Sequence, residues 1–217
     1  MGVAKFPIDR AIKILRREVP KYKVPIVGHY SKSPFKVLIS TLLSLRTKDA
    51  TTALACDRLF AAADTPEKIL SLPREKIEEL IFPVGFYRVK AATLHRVCKE
   101  LMDKHGGEVP SDLDELLKMK GVGRKTANLV VTVGFNKPGI CVDVHVHRIS
   151  NRWGYVKTAS PEKTETALRR VLPQRYWIEY NDLLVTYGQN VCVPVSPFCS
   201  KCPLEGFCKK VGVKRHR

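Results

Sequence analysis

The sequence predicts an all-α protein. Apolar residues recur at helical spacing in one segment after another, and the breaks between segments carry Gly, Pro or capping residues, as in AADTPEK, HGGEVPSD and FNKPGI. Only GICVDVHV, residues 139–146, alternates as a strand would, and one such stretch is too short to build a sheet.

The helical segments follow in order. DRAIKILRREV (Asp9–Val19) places Ile12, Leu15 and Val19 on one face. SPFKVLISTLLSL (Ser33–Leu45) opens with a Ser-Pro start signal and is apolar nearly all round, which predicts a buried helix. Further helical patterns occupy residues 48–63, 65–72, 74–82, 88–105, 112–119, 124–134, 144–153, 160–172 and 175–191. No fixed-period repeat and no low-complexity tract appears apart from the basic tail KKVGVKRHR.

A chain of 217 residues with 44% hydrophobic content can bury a sizeable core in one domain or two. Lys and Arg number 38 against 21 Asp and Glu, so the net charge is 38 − 21 = +17. An excess of that size favours a polyanionic partner, nucleic acid ahead of an anionic membrane surface, with a lysine-rich thermophilic surface as the plainer explanation. Gln occurs twice (Gln174 and Gln189) and Met three times, which leans towards a hot source. No apolar run reaches the ~18–20 residues that span a bilayer. The start MGVAKFPIDRAIKIL lacks the apolar region of a secretory signal, and GVAKF lacks the Ser or Thr of a myristoylation signal. The expectation is an intracellular protein whose cysteines are reduced or bound to metal.

Seven cysteines fall into two groups. Cys56, Cys98 and Cys141 lie singly among apolar residues and read as small core side chains. The other four form C-x6-C-x2-C-x5-C: Cys192, Cys199, Cys202 and Cys208. Four thiols so close in an intracellular chain predict ligands of one metal centre rather than disulfides. Structural zinc usually takes two C-x2-C knuckles, and this stretch has one. Its wider spacers suit an iron–sulfur cube, where each thiolate holds a separate iron. On spacing alone both metals stay open. Pro194, Pro197 and Pro203 stiffen the loop.

The stretch KMKGVGRKTANLVV (Lys118–Val131) concentrates unusual chemistry. Its two glycines are expected to permit positive φ and close approach of another backbone. A helix starting near Gly123 would point its first N–H groups outward beside Arg124, an anion site of dipole plus charge. With the helical DLDELLKM before it, the stretch reads helix–hairpin–helix, its tip Gly121-Val122-Gly123-Arg124 gripping a DNA phosphate without reading sequence. At about 100° per residue, Lys125, Asn128 and Thr132 share one exposed sector, while Ala127, Val130, Val131 and Gly134 face the core. Further on, Asp143 precedes a helical pattern and reads as an N-cap, as a partner carboxylate for Lys125, or as both.

Together LLKMKGVGRKTANLVV, VDVHVHR and the four-cysteine end resemble endonuclease III, a DNA base-excision glycosylase with lyase activity in the helix–hairpin–helix superfamily. The resemblance runs from about Ser33 to Cys208 and includes LISTLLS and GFYRVKA. It implies two helical domains flanking a DNA-binding cleft. One is a six-helix barrel at 27–137 with the helix–hairpin–helix at about 112–134. The other is an iron–sulfur domain built from 1–26 and 138–217, with the cluster loop at 192–208. The resemblance also implies a [4Fe–4S] cluster on Cys192, Cys199, Cys202 and Cys208, and it matches Lys125 to the family's catalytic lysine and Asp143 to its catalytic aspartate. The implied reaction flips the damaged nucleotide out of the stack. The neutral lysine amine attacks the sugar C1′ and displaces the base, leaving a Schiff base. Asp143 steadies positive charge on the sugar, and β-elimination cuts the strand 3′ of the lesion. The implied partner is double-stranded DNA carrying damaged bases or abasic sites. No membrane is involved, and the chain is expected to be a monomer in the cytoplasm or nucleoid of a prokaryote.

The chain departs from the family pattern at several positions. Arg46 stands where the family commonly has Gln and is expected to fill the hole left by the flipped base. Phe86 stands where the family often has Leu, either as a wedge between base pairs or as a core aromatic. Lys120 replaces a proline, and VPVSPF between Cys192 and Cys199 carries no basic residue. His145 matches a family position, for DNA contact or for a structural hydrogen bond. The leading expectation is a bifunctional glycosylase for oxidised pyrimidines. The alternatives are a mismatch glycosylase, removing thymine or uracil opposite guanine or adenine opposite oxidised guanine, and a non-enzymatic helix–hairpin–helix DNA-binding module. Lys125 and Asp143 together count against the module.

Overall fold

A computed structural model describes residues 6–22, 30 and 33–217. The domain boundary expected between residues 26 and 27 and the first five residues of the N-terminal segment lie outside the described residues. Among the described residues the secondary structure is helical, without strands. The α-helices are α1 (Ile8–Glu18), α2 (Pro34–Ser44), α3 (Asp49–Ala62), α4 (Pro66–Ser71), α5 (Arg74–Ile81), α6 (Tyr87–His105), α7 (Leu113–Lys118), α8 (Arg124–Leu129), α9 (Val144–Arg152), α10 (Pro161–Val171) and α11 (Trp177–Asn190). No described helix is long and apolar enough to cross a membrane. The chain divides into two compact units, residues 26–139 and residues 1–25 with 140–217.

In the 26–139 unit the organising element is α2. The Ser33 hydroxyl accepts from the Lys36 N–H at 3.3 Å, and Pro34 takes the first helical position, where no amide hydrogen is needed. Phe35, Val37, Leu38, Ile39, Leu42 and Leu43 are all buried, so the helix that is apolar all round becomes the centre against which α3, α6 and α8 pack. Thr65 and Asp112 cap α4 and α7 through their side-chain oxygens, and Gly106, at φ 59°, ends α6. Cys56 and Cys98 are buried, and burial pushes both thiols up to about 12, which fits inert core side chains.

The pattern at 124–134 is not one α-helix: α8 stops at Leu129 and continues as a π-helical turn over Val130–Gly134. The exposed sector expected for Asn128 and Thr132 is also overturned, since both are buried. The Asn128 amide donates to the Arg124 carbonyl at 3.1 Å and the Thr132 hydroxyl to the Asn128 carbonyl at 2.8 Å, so their polar groups turn onto their own helix. Gly139 closes over them. A Cβ there would lie 2.9 Å from Thr132 Cγ2, so only a glycine backbone covers that face so tightly.

The other unit contains α1, α9, α10 and α11 around Ile12, Leu15, Ile149, Trp153, Tyr180, Leu184 and Tyr187. Phe6 stacks on Trp153 with ring centroids 4.9 Å apart. Asp143 and Ser160 cap α9 and α10. GICVDVHV is not a strand: its first half is irregular chain and its second half opens α9.

Candidate active site

The hairpin joins α7 to α8 through Met119–Gly123. Gly121 adopts φ 107°, as expected for a residue that must be glycine, and a Cβ there would lie 2.7 Å from Thr93 Cγ2 on α6. Gly123 does not: it caps α8 with φ −87° and ψ 171°, ordinary extended backbone. A Cβ at Gly123 would meet nothing within 4 Å, so no contact within the chain accounts for its missing side chain. Val122 is buried, its amide donating to the Met119 carbonyl at 3.0 Å, so only its backbone belongs to the tip. The Lys120 carbonyl accepts from Arg96 Nε at 3.2 Å, a bond that does not depend on the side chain at 120. Arg124 is exposed and Lys125 half-buried on the first turn of α8.

In the other unit, Asp143 is the N-cap of α9, its Oδ1 accepting from the His145 and Val146 N–H groups at 2.9 Å each. His145 sits on Gly188 of α11: a Cβ at Gly188 would lie 2.6 Å from His145 Nδ1. Arg148 Nη2 lies 3.0 Å from that same nitrogen and donates to the Gly188 carbonyl at 3.1 Å and the Cys192 carbonyl at 2.9 Å. His145 is thus built into the α9–α11 packing. The two arginines of HRISNR, four apart and so on one face of α9, were legible as a pair, yet the sequence reading did not single them out.

Arg46 and Phe86 come together. The Arg46 guanidinium lies 5.7 Å from the centre of the Phe86 ring, and Phe86 is 62% exposed, which removes the core-aromatic reading. Both are non-glycine residues in the left-handed region, at φ 54° and 58°. Each costs about 1–2 kcal/mol there, so the surrounding chain must hold them. Gly85 fits against this turn: its N–H donates to Thr47 Oγ1 at 3.1 Å, and a Cβ on it would lie 2.8 Å from the Arg46 carbonyl oxygen.

The HhH-GPD superfamily of base excision DNA repair proteins matches residues 39–174, more than half of the chain. Endonuclease III of Thermotoga maritima is 46% identical over 198 residues, covering 91% of this chain and 92% of its own. The chain belongs to the endonuclease III family. A solved structure of a trapped covalent endonuclease III–DNA intermediate, an estranged-adenine complex, matches with a TM-score of 0.86 at 35% identity, over 96% of this chain and 97% of that one. A thermostable thymine-DNA glycosylase matches with a TM-score of 0.76 at 24% identity, over 84% of this chain and 86% of that one, a likeness of fold alone.

In this endonuclease III family member Cys192, Cys199, Cys202 and Cys208 line one cavity, together with Arg152, Trp153, Tyr187 and Phe198. None of the four is in a disulfide. Arg152, 9% exposed, donates to Cys192 Sγ at 3.4 Å, the Val193 carbonyl at 2.7 Å and the Pro194 carbonyl at 2.6 Å. The Lys210 N–H donates to Cys208 Sγ at 3.4 Å, and the Tyr187 hydroxyl lies 3.0 Å from Cys202 Sγ. The basic tail returns to the same loop: the Ser200 N–H donates to the Arg217 carbonyl at 2.9 Å, and the Arg217 guanidinium lies 4.1 Å from the centre of the Phe198 ring. Among the described residues, no three His, Cys, Asp or Glu side chains converge as ligands of a single metal ion. Four soft donors round one cavity, with N–H groups aimed at the sulfurs, have the chemistry of a thiolate-held iron–sulfur cluster.

Proposed function

We propose that this chain is a bifunctional DNA glycosylase and abasic-site lyase that removes oxidised pyrimidines from double-stranded DNA. The observation that carries the reading is the hairpin: Gly123, where a Cβ would meet nothing within 4 Å, leads directly into α8, whose first turn carries Lys125. A glycine left open to the outside suits close approach of a phosphate, and a lysine two residues later is then held at a fixed reach from the gripped strand. The overall likeness to a covalently trapped endonuclease III–DNA complex supports the same reading.

In this reading the barrel domain, 27–137, supplies the hairpin tip Gly121–Arg124, Arg46, Phe86 and Lys125. Phe86 enters the base stack while Arg46 faces the base left without a partner. The lone pair of Lys125 Nζ attacks C1′ as the C1′–base bond breaks, and the base leaves with a proton. Cleavage of the C1′–O4′ bond, with the remaining N–H proton passing to O4′, then opens the sugar to an imine. The imine acidifies the C2′ hydrogens, and loss of one of them breaks the C3′–O bond and cuts the strand. Asp143 acts on the same nucleotide, offsetting positive charge on the sugar while its Oδ1 caps α9. His145 serves to seat α9 on α11 rather than to touch DNA. The remaining residues, 1–26 and 138–217, form the cluster domain, in which Cys192, Cys199, Cys202 and Cys208 would hold a [4Fe–4S] cluster. When bound, the cluster supplies a rigid crosslink and a buried redox centre.

Borohydride should trap a covalent adduct of the protein on a thymine-glycol or abasic-site duplex. Lys125→Ala should abolish the adduct and leave binding to undamaged duplex within about threefold, because phosphate contacts carry that affinity. Normal trapping by Lys125→Ala would show that another amine is the nucleophile.

A further inference from the structure

We propose that Lys90 is the positioning residue that locks Arg46 and Phe86 into one two-pronged probe of the base stack. The inference rests on the reading of those two side chains given above. Lys90 lies one turn into α6, its N–H donating to the Phe86 carbonyl at 3.0 Å. Its side chain is buried, 9% exposed, and reaches back to the end of α2. There Nζ donates to the Leu43 carbonyl at 2.7 Å, the Leu45 carbonyl at 2.5 Å and Thr47 Oγ1 at 3.1 Å. Those three acceptors bracket Arg46. Thr47 Oγ1 also accepts the Gly85 N–H, so one ammonium group ties the turn carrying Arg46 to the turn carrying Phe86.

A lysine that only closed the end of α2 would need the two carbonyls alone; the shared hydroxyl and the Gly85 link serve the junction. The left-handed conformations of Arg46 and Phe86 persist because both turns are held in this way. Burial pulls the Lys90 ammonium down to about 8, still charged at neutral pH, and charged donors make the stronger bonds. With the two turns locked, Arg46 and Phe86 meet DNA already placed together, the guanidinium 5.7 Å from the ring centre, without ordering to be completed at the moment of insertion.

The test compares wild type, Lys90→Met, Arg46→Ala/Phe86→Ala and the triple variant, each full-length with its cluster loaded. Three readouts apply: single-turnover base release from a thymine-glycol duplex, fluorescence of 2-aminopurine opposite an abasic-site analogue, and melting temperature. Lys90→Met should slow base release about 10–100-fold and abolish the fluorescence rise that marks the unstacked opposite base. Added to Arg46→Ala/Phe86→Ala, it should change the rate by less than about twofold while lowering the melting temperature as much as it does alone. Rate losses that multiply across the two backgrounds, or a wild-type rate in Lys90→Met, overturn the proposal. If Lys90→Met fails to fold, Thr47→Val carries the same cycle with the same expectation, since it removes only the hydroxyl between Lys90 and Gly85. Wild-type protein that releases no base overturns the glycosylase reading instead. The fluorescence readout then still decides on Lys90, because insertion opposite an abasic-site analogue requires no chemistry.

Discussion

Replacing Gly121 and Gly123 by alanine, one at a time, separates the folding of the hairpin from its use. At Gly121 the backbone is at φ 107°, and a Cβ would stand 2.7 Å from Thr93 Cγ2 and 3.3 Å from Arg96 Nη2. The left-handed conformation costs an alanine about 1–2 kcal/mol, and forcing a methyl group against the stiff, β-branched Thr93 costs about 1–3 kcal/mol more. At ~2–4 °C per kcal/mol for a chain of this size, Gly121→Ala should melt about 4–20 °C below wild type. Gly123 has an ordinary extended backbone and open space around it. There alanine gains about 0.4–1 kcal/mol through the unfolded state and loses about half a kcal/mol as a poorer N-cap, so the melting temperature should move by less than about 2 °C. Binding should divide the other way. A methyl group between the hairpin and a phosphate removes one charge-assisted hydrogen bond, about 1.5–3 kcal/mol, or roughly 10–100-fold in affinity. Differential scanning fluorimetry and anisotropy on an abasic-analogue duplex at one fixed salt concentration measure both quantities. Wild-type affinity in Gly123→Ala would refute the argument that its bareness serves a backbone from outside, and a wild-type melting temperature in Gly121→Ala would refute the steric one.

Asp143→Asn retains an N-cap acceptor, so stability should be unchanged, yet the lost charge should slow base release by about 10²–10⁴-fold. Asp143→Ala should show the same slowing and in addition lose the cap, about 1 kcal/mol or ~2–4 °C. A normal rate in Asp143→Asn would confine Asp143 to capping. Arg152→Met keeps the aliphatic stem but strips the Cys192 sulfur and the Val193 and Pro194 carbonyls of their donor, at about 1–3 kcal/mol. The absorbance near ~400 nm expected of the proposed cluster should therefore bleach at a lower temperature than in wild type. Unchanged bleaching would mean the guanidinium does not hold the loop.

What the sequence revealed and what it hid divide by range. The helices were legible because burial of one face imposes a period on the chain, and Asp143 was legible as a cap because capping acts within three residues. The exposed sector assigned to Asn128 and Thr132 failed because the angular rule assumes that a polar side chain seeks water. Both instead bond to carbonyls of their own helix and lie under Gly139. Lys90 was invisible for a different reason: its acceptors lie 43–47 positions back along the chain, and a lysine within an amphipathic pattern normally marks the solvated face. Arg148 and Arg152 bond to a loop 40 and more residues away, and spacing on α9 can pair them without naming what they hold. The two glycines looked equivalent in GVG and proved unlike, because φ at each is set by the fold of the turn.

Helix α9 gives the cysteine loop a mechanical connection to Asp143, the proposed catalytic carboxylate. Its first turn is fixed by Asp143 Oδ1 on two amides and by His145 on Gly188, and its C-terminal end by Arg152 on Cys192, Val193 and Pro194. Nine residues of helix span only about 13 Å, too short and stiff to absorb a shift at one end. Arg148, midway along, bonds to both the Gly188 and Cys192 carbonyls, so α11 and the loop restrain the same face. A cluster that fixed Cys192 would therefore fix the frame in which Asp143 is aimed, without transferring any electron. Loss of the cluster would then appear first as a fall in base-release rate at unchanged phosphate-driven binding, since the hairpin proposed to grip phosphate belongs to the other compact unit.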